Sequence, residues 1–436
     1  MNAQVTNYTC PNCLGTLRFG SGSGKIECDH CGTTFELSVI EQLYADKEEA
    51  AASAGTEPRW DLTHTEGFTE EEAQTMKGYT CPSCLAALIC HSTTAATSCP
   101  YCGNPTVVPG QLSGELKPDY VIPFKHDKTA AEKALAGYYK GKKFLPRGFA
   151  STSHIEEVKG VYTPFWLFDA NTDAYIRYKA KQERTYRQGD YEITETKHYR
   201  VTREGSVAFQ KVPADGSKNI PDAHMDSVEP FKYEELKPFS TAYLPGFMAE
   251  KYDEDAAAVA PRVNTRIKTS TERKFAETVK GYTSFSVEHS TINLQENAVY
   301  YSLMPIWLLT SRWKGANYLF AVNGQTGKLA GDLPVSRGKF WAWFFALFLI
   351  VSAVLAPVLY LLAGDMFFII GGMVFALLFA LILCLIWRGQ MKTAVTARAA
   401  DNYIPPGGFK LRNSDDKYLY TSTTKRKVNT ANTAKG

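Results

Sequence analysis

The chain has 436 residues, 44% of them hydrophobic and 21% charged, with a formal net charge of +3. That length accommodates two or three domains, and so small a net charge excludes a global electrostatic field of the kind that draws a protein to nucleic acid. Of the ten cysteines, eight fall in four Cys-x-x-Cys pairs and Cys90 and Cys384 are left over. Paired knuckles of this kind mean metal more often than disulfide in a reducing compartment. Residues 1–19 are polar and carry Cys10 and Cys13, so no N-terminal signal peptide is expected.

Two zinc ribbons are expected at the front of the chain, over residues 1–36 and 78–110. In each, 14 residues separate the two knuckles: Cys10 and Cys13 precede Cys28 and Cys31, and Cys81 and Cys84 precede Cys99 and Cys102. Tyr8-Thr9-Cys10-Pro11 repeats as Tyr79-Thr80-Cys81-Pro82, Leu14 matches Leu85, and Gly32 and Gly103 follow the last cysteine of each set. Two residues between thiolates let one tight turn aim both sulfurs at one ion, and two such turns on a short hairpin complete a tetrahedral sulfur site. A glycine after the knuckle suits the backbone this turn needs. Iron could take the same four ligands; zinc, redox-inert and satisfied by four thiolates, is the expected ion in both sites, in a structural role. A thioredoxin-like redox pair would need a surrounding βαβ pattern, which is lacking. His30 sits inside a knuckle without being a ligand, and Cys90 reads as a small apolar strand residue. Gly20-Ser21-Gly22-Ser23-Gly24 reads as the turn of the first ribbon; it is no nucleotide loop, because position 19 is Phe and Lys25 is followed by Ile26.

Residues 37–77 read as a helical segment and linker. Residues 35–44 have helical apolar spacing through Leu37, Ile40, Leu43 and Tyr44, residues 50–55 are small and flexible, and Glu70-Glu71-Glu72 after Thr69 suits a first helical turn.

Residues 111–335 read as a β-rich α+β region. A strand is expected over 120–124, then a helix over 127–139 capped by Asp127. Strands follow over 161–168 and 174–180. Residues 191–203 and 206–212 alternate with period two and meet at Glu204-Gly205, a hairpin signal. Residues 253–280 are partly helical with a break near Pro261, and Asp253-Glu254-Asp255 reads as a solvated helix start. Residues 282–287, 299–310 and 318–322 read as strands, and 323–327 as a hairpin turn. Pro164-Phe165-Trp166-Leu167-Phe168 is echoed 141 residues later by Pro305-Ile306-Trp307-Leu308-Leu309, which suggests two copies of a small α+β unit or convergent strand chemistry. No catalytic motif occurs here: His-Glu-x-x-His and Gly-x-Ser-x-Gly are missing, and His154, His198, His224 and His289 are scattered singly. No catalytic and no cofactor-binding residue is expected, and the chain does not read as an enzyme.

Residues 336–390 read as a transmembrane helical hairpin. Its arms, 340–363 and 366–387, hold 24 and 22 residues without a charge, against the ~20 a spanning helix needs, and Gly364-Asp365 makes the turn. The alternative, a helical hairpin buried in a soluble core, seldom runs this long without a charge. Arg337, Lys339, Arg388, Lys392 and Arg398 flank the arms and only Asp365 lies between them, so both chain ends are expected in the cytoplasm of a multi-pass protein of the inner membrane. Trp341, Trp343 and Trp387 sit where interfacial aromatics belong. Residues 391–436 read as a basic cytoplasmic tail, since 388–436 holds ten Lys and Arg against three Asp. Anionic lipid would attract such a tail, and a solvated, disordered tail would look the same.

Two ribbons, an α+β middle and a C-terminal membrane hairpin resemble the bacterial YdjG-type double-zinc-ribbon membrane proteins. The anchors of the resemblance are Cys10, Cys13, Cys28, Cys31, Cys81, Cys84, Cys99, Cys102 and the hairpin. The resemblance implies a membrane partner for a phage-shock-protein-A-like protein, working with flotillin-like proteins in envelope stress. The expected function is therefore a membrane-anchored scaffold for cytoplasmic and membrane proteins. The alternative is a tethered nucleic-acid-binding regulator. It should show clustered cations near the knuckles, yet 1–36 carries only Arg18 and Lys25 against Glu27, Asp29 and Glu36, and 78–110 carries no Lys or Arg.

Overall fold

The computed structural model describes residues 10–11, 17–20, 25–28, 30–36, 38–40, 60, 67–74, 76–91, 99–102, 108–110, 116–149, 155–363 and 366–427. Cys13, Leu14, the 21–24 part of the first ribbon's expected turn, half of the 35–44 segment, the 50–55 linker, Gly103, His154 and residues 364–365 lie outside these residues. The chain carries two cysteine clusters near its N-terminus, a β-rich middle region and two apolar C-terminal helices.

The first ribbon is a small antiparallel sheet of β1 (Leu17–Gly20), β2 (Lys25–Cys28) and β3 (Thr34–Phe35). Phe35, expected to open a helix, ends β3 and is buried in the ribbon's core with Ile26 and Ile40. Trp60, from the expected linker, is buried in the main core, where its indole N–H donates to Asn264 Oδ1 at 2.9 Å. Helix α1 (Glu70–Gln74) starts at Thr69. The Thr69 hydroxyl accepts from the Glu72 N–H at 3.3 Å and the Glu72 carboxylate accepts from the Thr69 N–H at 3.1 Å, a reciprocal capping box.

The second ribbon, β4 (Met76–Thr80), β5 (Ala87–His91) and β6 (Val108–Gly110), does not stand apart. It extends the large sheet, which also includes β7 (Tyr120–Val121). Helix α2 (Lys128–Tyr139) follows, with Asp127 accepting from the Ala130 N–H as its cap. Then come two very long strands, β8 (Ile155–Gln188) and β9 (Tyr191–Asp215). The strands expected over 161–168 and 174–180 are thus one. Their polar interruption at Asp169 is a β-bulge, with the carboxylate accepting from the Lys211 N–H at 2.7 Å. The hairpin expected at Glu204-Gly205 is absent. The chain reverses between β8 and β9, at Gly189, whose φ is +60°. Gly205 lies within β9 because a Cβ there would run into the Lys410 carbonyl of a neighbouring strand, the close approach for which a strand glycine is kept.

Helix α3 (Asp222–Val228), β10 (Lys237–Pro238) and β11 (Met248–Glu250) lead to α4 (Ala256–Ala276). Asp255 caps α4, and Pro261 sits inside it without breaking it. Strand β12 (Ser284–Trp313) merges the strands expected over 282–287 and 299–310, again across a bulge, and β13 (Ala316–Asn323) and β14 (Leu329–Gly331) follow.

The echoed pentapeptides occupy equivalent places in two β-α-β-β units, β7-α2-β8-β9 and β11-α4-β12-β13. The first strand of each unit pairs in parallel with the long strand of the other: Met248 opposes Val161, and Tyr120 opposes Ser302. The indole N–H of Trp166 donates to the Glu254 carbonyl and that of Trp307 to the His126 carbonyl, each at 2.8 Å and each to the residue before a helix cap. Gly216 N–H donates to Pro164 O at 2.9 Å and Gly324 N–H to Pro305 O at 2.8 Å. Both glycines are dictated by closeness: a Cβ would meet the Trp166 indole at 3.0 Å in one and the Phe124 ring at 2.6 Å in the other.

Helices α5 (Arg337–Ala363) and α6 (Met366–Gly389) form the apolar hairpin. The segment after α2 is wedged at its base. Lys142 Nζ donates to Gln390 O at 2.5 Å, Lys339 Nζ donates to Leu145 O at 2.6 Å, and Lys143 lies over the rings of Trp343 and Trp387. The chain then returns to the domain. Residues 391–427 are not a free tail: β15 (Phe409–Lys427) pairs with β9 along its whole length. Fully buried Arg266 holds Glu229 through two nitrogens, at 2.7 and 3.3 Å, and the Tyr403 hydroxyl donates to Glu229 at 2.6 Å. Asp226 accepts from the Ala397 N–H at 2.8 Å. This buried network fastens the returning segment.

Candidate metal centres

In the second ribbon the Sγ atoms of Cys81, Cys84, Cys99 and Cys102 all lie within 4.8 Å of one another, as do those of Cys10, Cys28 and Cys31 in the first. The fourth candidate of the first ribbon, Cys13, is outside the described residues. Cys81 and Cys102 sulfurs are 3.6 Å apart, Cys84 and Cys99 3.5 Å, and Cys10 and Cys31 3.7 Å. A tetrahedron of sulfurs ~2.3 Å from a central zinc has edges of about 3.8 Å, so the donor sets fit a metal of that size.

The Cys28 and Cys81 knuckles close with the same backbone hydrogen bonds. Cys28 N–H donates to Thr33 O and Gly32 N–H to Cys28 O; Cys81 N–H donates to Ala86 O and Leu85 N–H to Cys81 O, all at 2.9–3.0 Å. The residue after the second cysteine takes the left-handed conformation, φ +67° at Gly32 and φ +63° at Leu85. Leu85 bears that conformation with its side chain 76% exposed. The turn calls for the left-handed conformation, which Gly32 adopts without strain and Leu85 adopts as well.

Burial pushes the Cys84 and Cys99 thiols up. At Cys81 the backbone N–H groups of Cys84 and Ser83 outweigh burial and bring the thiol down to about 7. A cation among the four sulfurs supplies the attraction that lets all of them ionise. Tyr101, between Cys99 and Cys102, packs against a second core cluster that includes Ile122, Phe165 and Met304, and Lys159 Nζ donates to Cys99 O at 3.3 Å. Strand β5 pairs with β11, opposing the buried Cys90 to Met248. No motif announces this docking, because the contact is made by backbone groups.

The first ribbon sits far along the long strands. Its Phe35 packs edge-on against Tyr420 at 4.7 Å, and the His198 ring stacks on the same tyrosine at 4.3 Å. A cavity of about 380 Å³ lies there, lined by Pro11, Lys181, His198, Phe285 and Tyr420 among others. Burial and Lys181 push His198 down to about 4, so the ring is neutral at ordinary pH. His198, His224 and His289 hydrogen-bond to Ser422, Leu319 and Thr291 respectively, on different parts of the sheet.

Helices α5 and α6 are each long and apolar enough to cross a membrane. Their apolar side chains face outward: Leu349 is 64% exposed, Leu361 82% and Phe367 76%. That exposure is the opposite of a hairpin buried in a soluble core.

No protein-family model matches the chain, and no solved structure does. The chain is similar to the uncharacterized protein YdjG of Bacillus subtilis, with 37% identity over 340 residues that span 78% of this chain and 93% of the relative. Similarity at that level along nearly the full relative makes this chain a member of the YdjG family.

Proposed function

We propose that the protein is a membrane-anchored scaffold, not an enzyme. It holds cytoplasmic proteins against the inner face of the cell membrane through two zinc-stapled ribbons and the β-rich domain that carries them. A phage-shock-protein-A-like protein and flotillin-like proteins are the partners proposed, in an envelope stress response. The observation that carries the reading is the hairpin: two exposed apolar helices rise from a cationic base. That base gathers Arg337, Lys339, Arg388 and Lys392 with Lys142 and Lys143 of the segment after α2, whereas the connection between the helices bears only Asp365. Cations gather on the cytoplasmic side of spanning helices, which supports both termini facing the cytoplasm. Zinc suits the sulfur sets, and four thiolates on one ion leave no open position for chemistry, which supports a structural role.

The test is capture from solubilised membranes of chains with and without residues 1–110. The expected result is membrane recovery of both, two zinc ions per full chain, and partner capture by the full chain alone. Recovery of the intact chain in the soluble fraction, or equal capture by both forms, would overturn the reading.

A further inference from the structure

Three separate stretches of chain meet where the hairpin leaves the domain. The loop after α2 is fixed to the start of α5 by two bonds, from Ser336 N–H to Phe144 O at 2.9 Å and from Lys339 Nζ to Leu145 O at 2.6 Å. Lys142 Nζ fixes it to the end of α6 through Gln390 O, and Phe144 is buried beneath it against Phe340 and Trp387. Lys143 stands between these anchors. Its ammonium lies 5.2 Å from the centre of the Trp343 ring of α5 and 5.9 Å from that of Trp387 of α6. The two rings meet edge to face at 5.5 Å.

Charge at this junction is not balanced by the protein. Residues 139–149 hold no Asp or Glu, and residues 333–400 hold only Asp365, in the connection between the helices. Asp332 lies 4.0 Å from Lys392. Lys143, Arg337 and Arg388 are exposed and, among the described residues, form no ion pair. Helix α5 begins here and α6 ends here, so their opposed dipoles offset one another and the side chains decide the sign. The indoles add donors. Trp60, Trp166 and Trp307 of the domain each donate to a protein oxygen, whereas among the described residues Trp343 and Trp387 donate to none.

We infer that Lys143, Arg388 and the two indoles form a binding site for the phosphate of an anionic phospholipid beside the hairpin. The inference rests on the proposed membrane anchor. Tryptophans gather at headgroup depth, where these two hold the ammonium against their faces by cation–π attraction. The loop is bonded to both helices, so the cation is in place before lipid arrives. The site separates headgroups because it offers cations and N–H donors alone. A zwitterionic headgroup brings an ammonium that needs a carboxylate, and the junction supplies none. The basic end of the chain is no rival for this role. Phe409 opens β15 opposite Val207 and Thr172, 13 residues along β8 from Lys159, about 40 Å at ~3.3 Å each, and β15 runs away from the hairpin.

The test places the full chain in nanodiscs of equimolar phosphatidylglycerol and phosphatidylethanolamine, then counts the lipid it retains by native mass spectrometry after release into mild detergent. The parent is expected to retain phosphatidylglycerol about tenfold over phosphatidylethanolamine. Lys143→Gln and Arg388→Gln are each expected to lower that ratio about fivefold, and the double variant to abolish the preference. Lys143→Arg keeps a cation on the same rings and should keep the preference. Lys425→Gln with Arg426→Gln removes as much charge at the far end of β15 and should leave the ratio unchanged. Equal retention of both lipids by the parent, an equal loss in the far-end variant, or release of phosphatidylglycerol by inorganic phosphate would each overturn the site while leaving the anchor intact. Recovery of the chain free of any disc would overturn the anchor, and the site with it.

Discussion

Arg266 and Glu229 form the buried pair that ties the segment returning from the hairpin to α4, and Arg266→Met tests how much that tie matters. Arg266 is 2% exposed; it also donates to Pro213 O at 2.8 Å and lies against Ala399 O at 3.4 Å. Removing it leaves Glu229, 5% exposed, facing Tyr403 with no cation on its oxygens. Breaking a buried pair from one side costs about 3–5 kcal/mol, whereas replacing both members with apolar groups is often neutral. For a domain of this size about 1 kcal/mol moves the midpoint by roughly 2–4 °C. Melting followed by tryptophan fluorescence in detergent should therefore fall by about 6–20 °C in Arg266→Met. Most of that loss should return in the double variant with Glu229→Met. The variant should also be cut more readily by protease between α6 and β15. The pH dependence follows from burial, which raises the Glu229 carboxyl. Without Arg266 the folded state holds that proton above the unfolded value of 4.5, so the deficit should be small near pH 5 and grow as pH rises. A double variant as unstable as the single, or a deficit indifferent to pH, would refute the account.

Further outcomes follow from other sites. Burial raises Glu250 from 4.5 to about 7 while Ser217 and Asn219 donate to it. Its folded state therefore keeps a proton the unfolded chain has lost, and stability should decline as pH climbs through that range. Glu250→Gln should flatten the decline and be more stable than the parent at pH 8 by about 2–3 kcal/mol, measured by urea unfolding. Trp166→Phe and Trp307→Phe each remove one indole donor to one carbonyl, so each should cost about 1–3 kcal/mol and the two should add within error, read from the same unfolding curves. Ending the chain at residue 408 strips β15 from β9 and should produce aggregation detectable by light scattering, where a free tail could be removed without effect. Cys81→Ser with Cys84→Ser should halve bound zinc by elemental analysis and raise protease sensitivity within residues 76–110.

What could be read from the chain beforehand was what lies close in sequence. The knuckles repeat because ligand spacing is fixed by the ion, and Asp127, Asp255 and the Thr69–Glu72 box are legible because a cap bonds within three residues. The long strands were cut short because their bulges, at Asp169 and near Glu296, use the same polar residues that turns use. Gly205 misled for a related reason, since a glycine admitting a neighbouring backbone looks like a glycine admitting a turn. Strand β15 gave no period-two signal, because residues 410–418 are exposed on both faces. The relation of the two units showed only as Trp166 and Trp307; their carbonyl partners, Glu254 and His126, share no side-chain chemistry.

The length of β8 and β12 sets a scale for the whole molecule. From the row of Leu308 and Lys159, near the hairpin, to the row of Phe285 and Ala180, beside the first ribbon, β8 runs 21 residues, or about 70 Å at ~3.3 Å each. At cellular ionic strength the potential of a charged surface decays with a length of ~8 Å, far less than this span. With a bilayer around the hairpin, the cations at its base feel the lipid charge and the first metal site does not. Whatever docks at that far tip would be selected by protein chemistry and not by lipid charge.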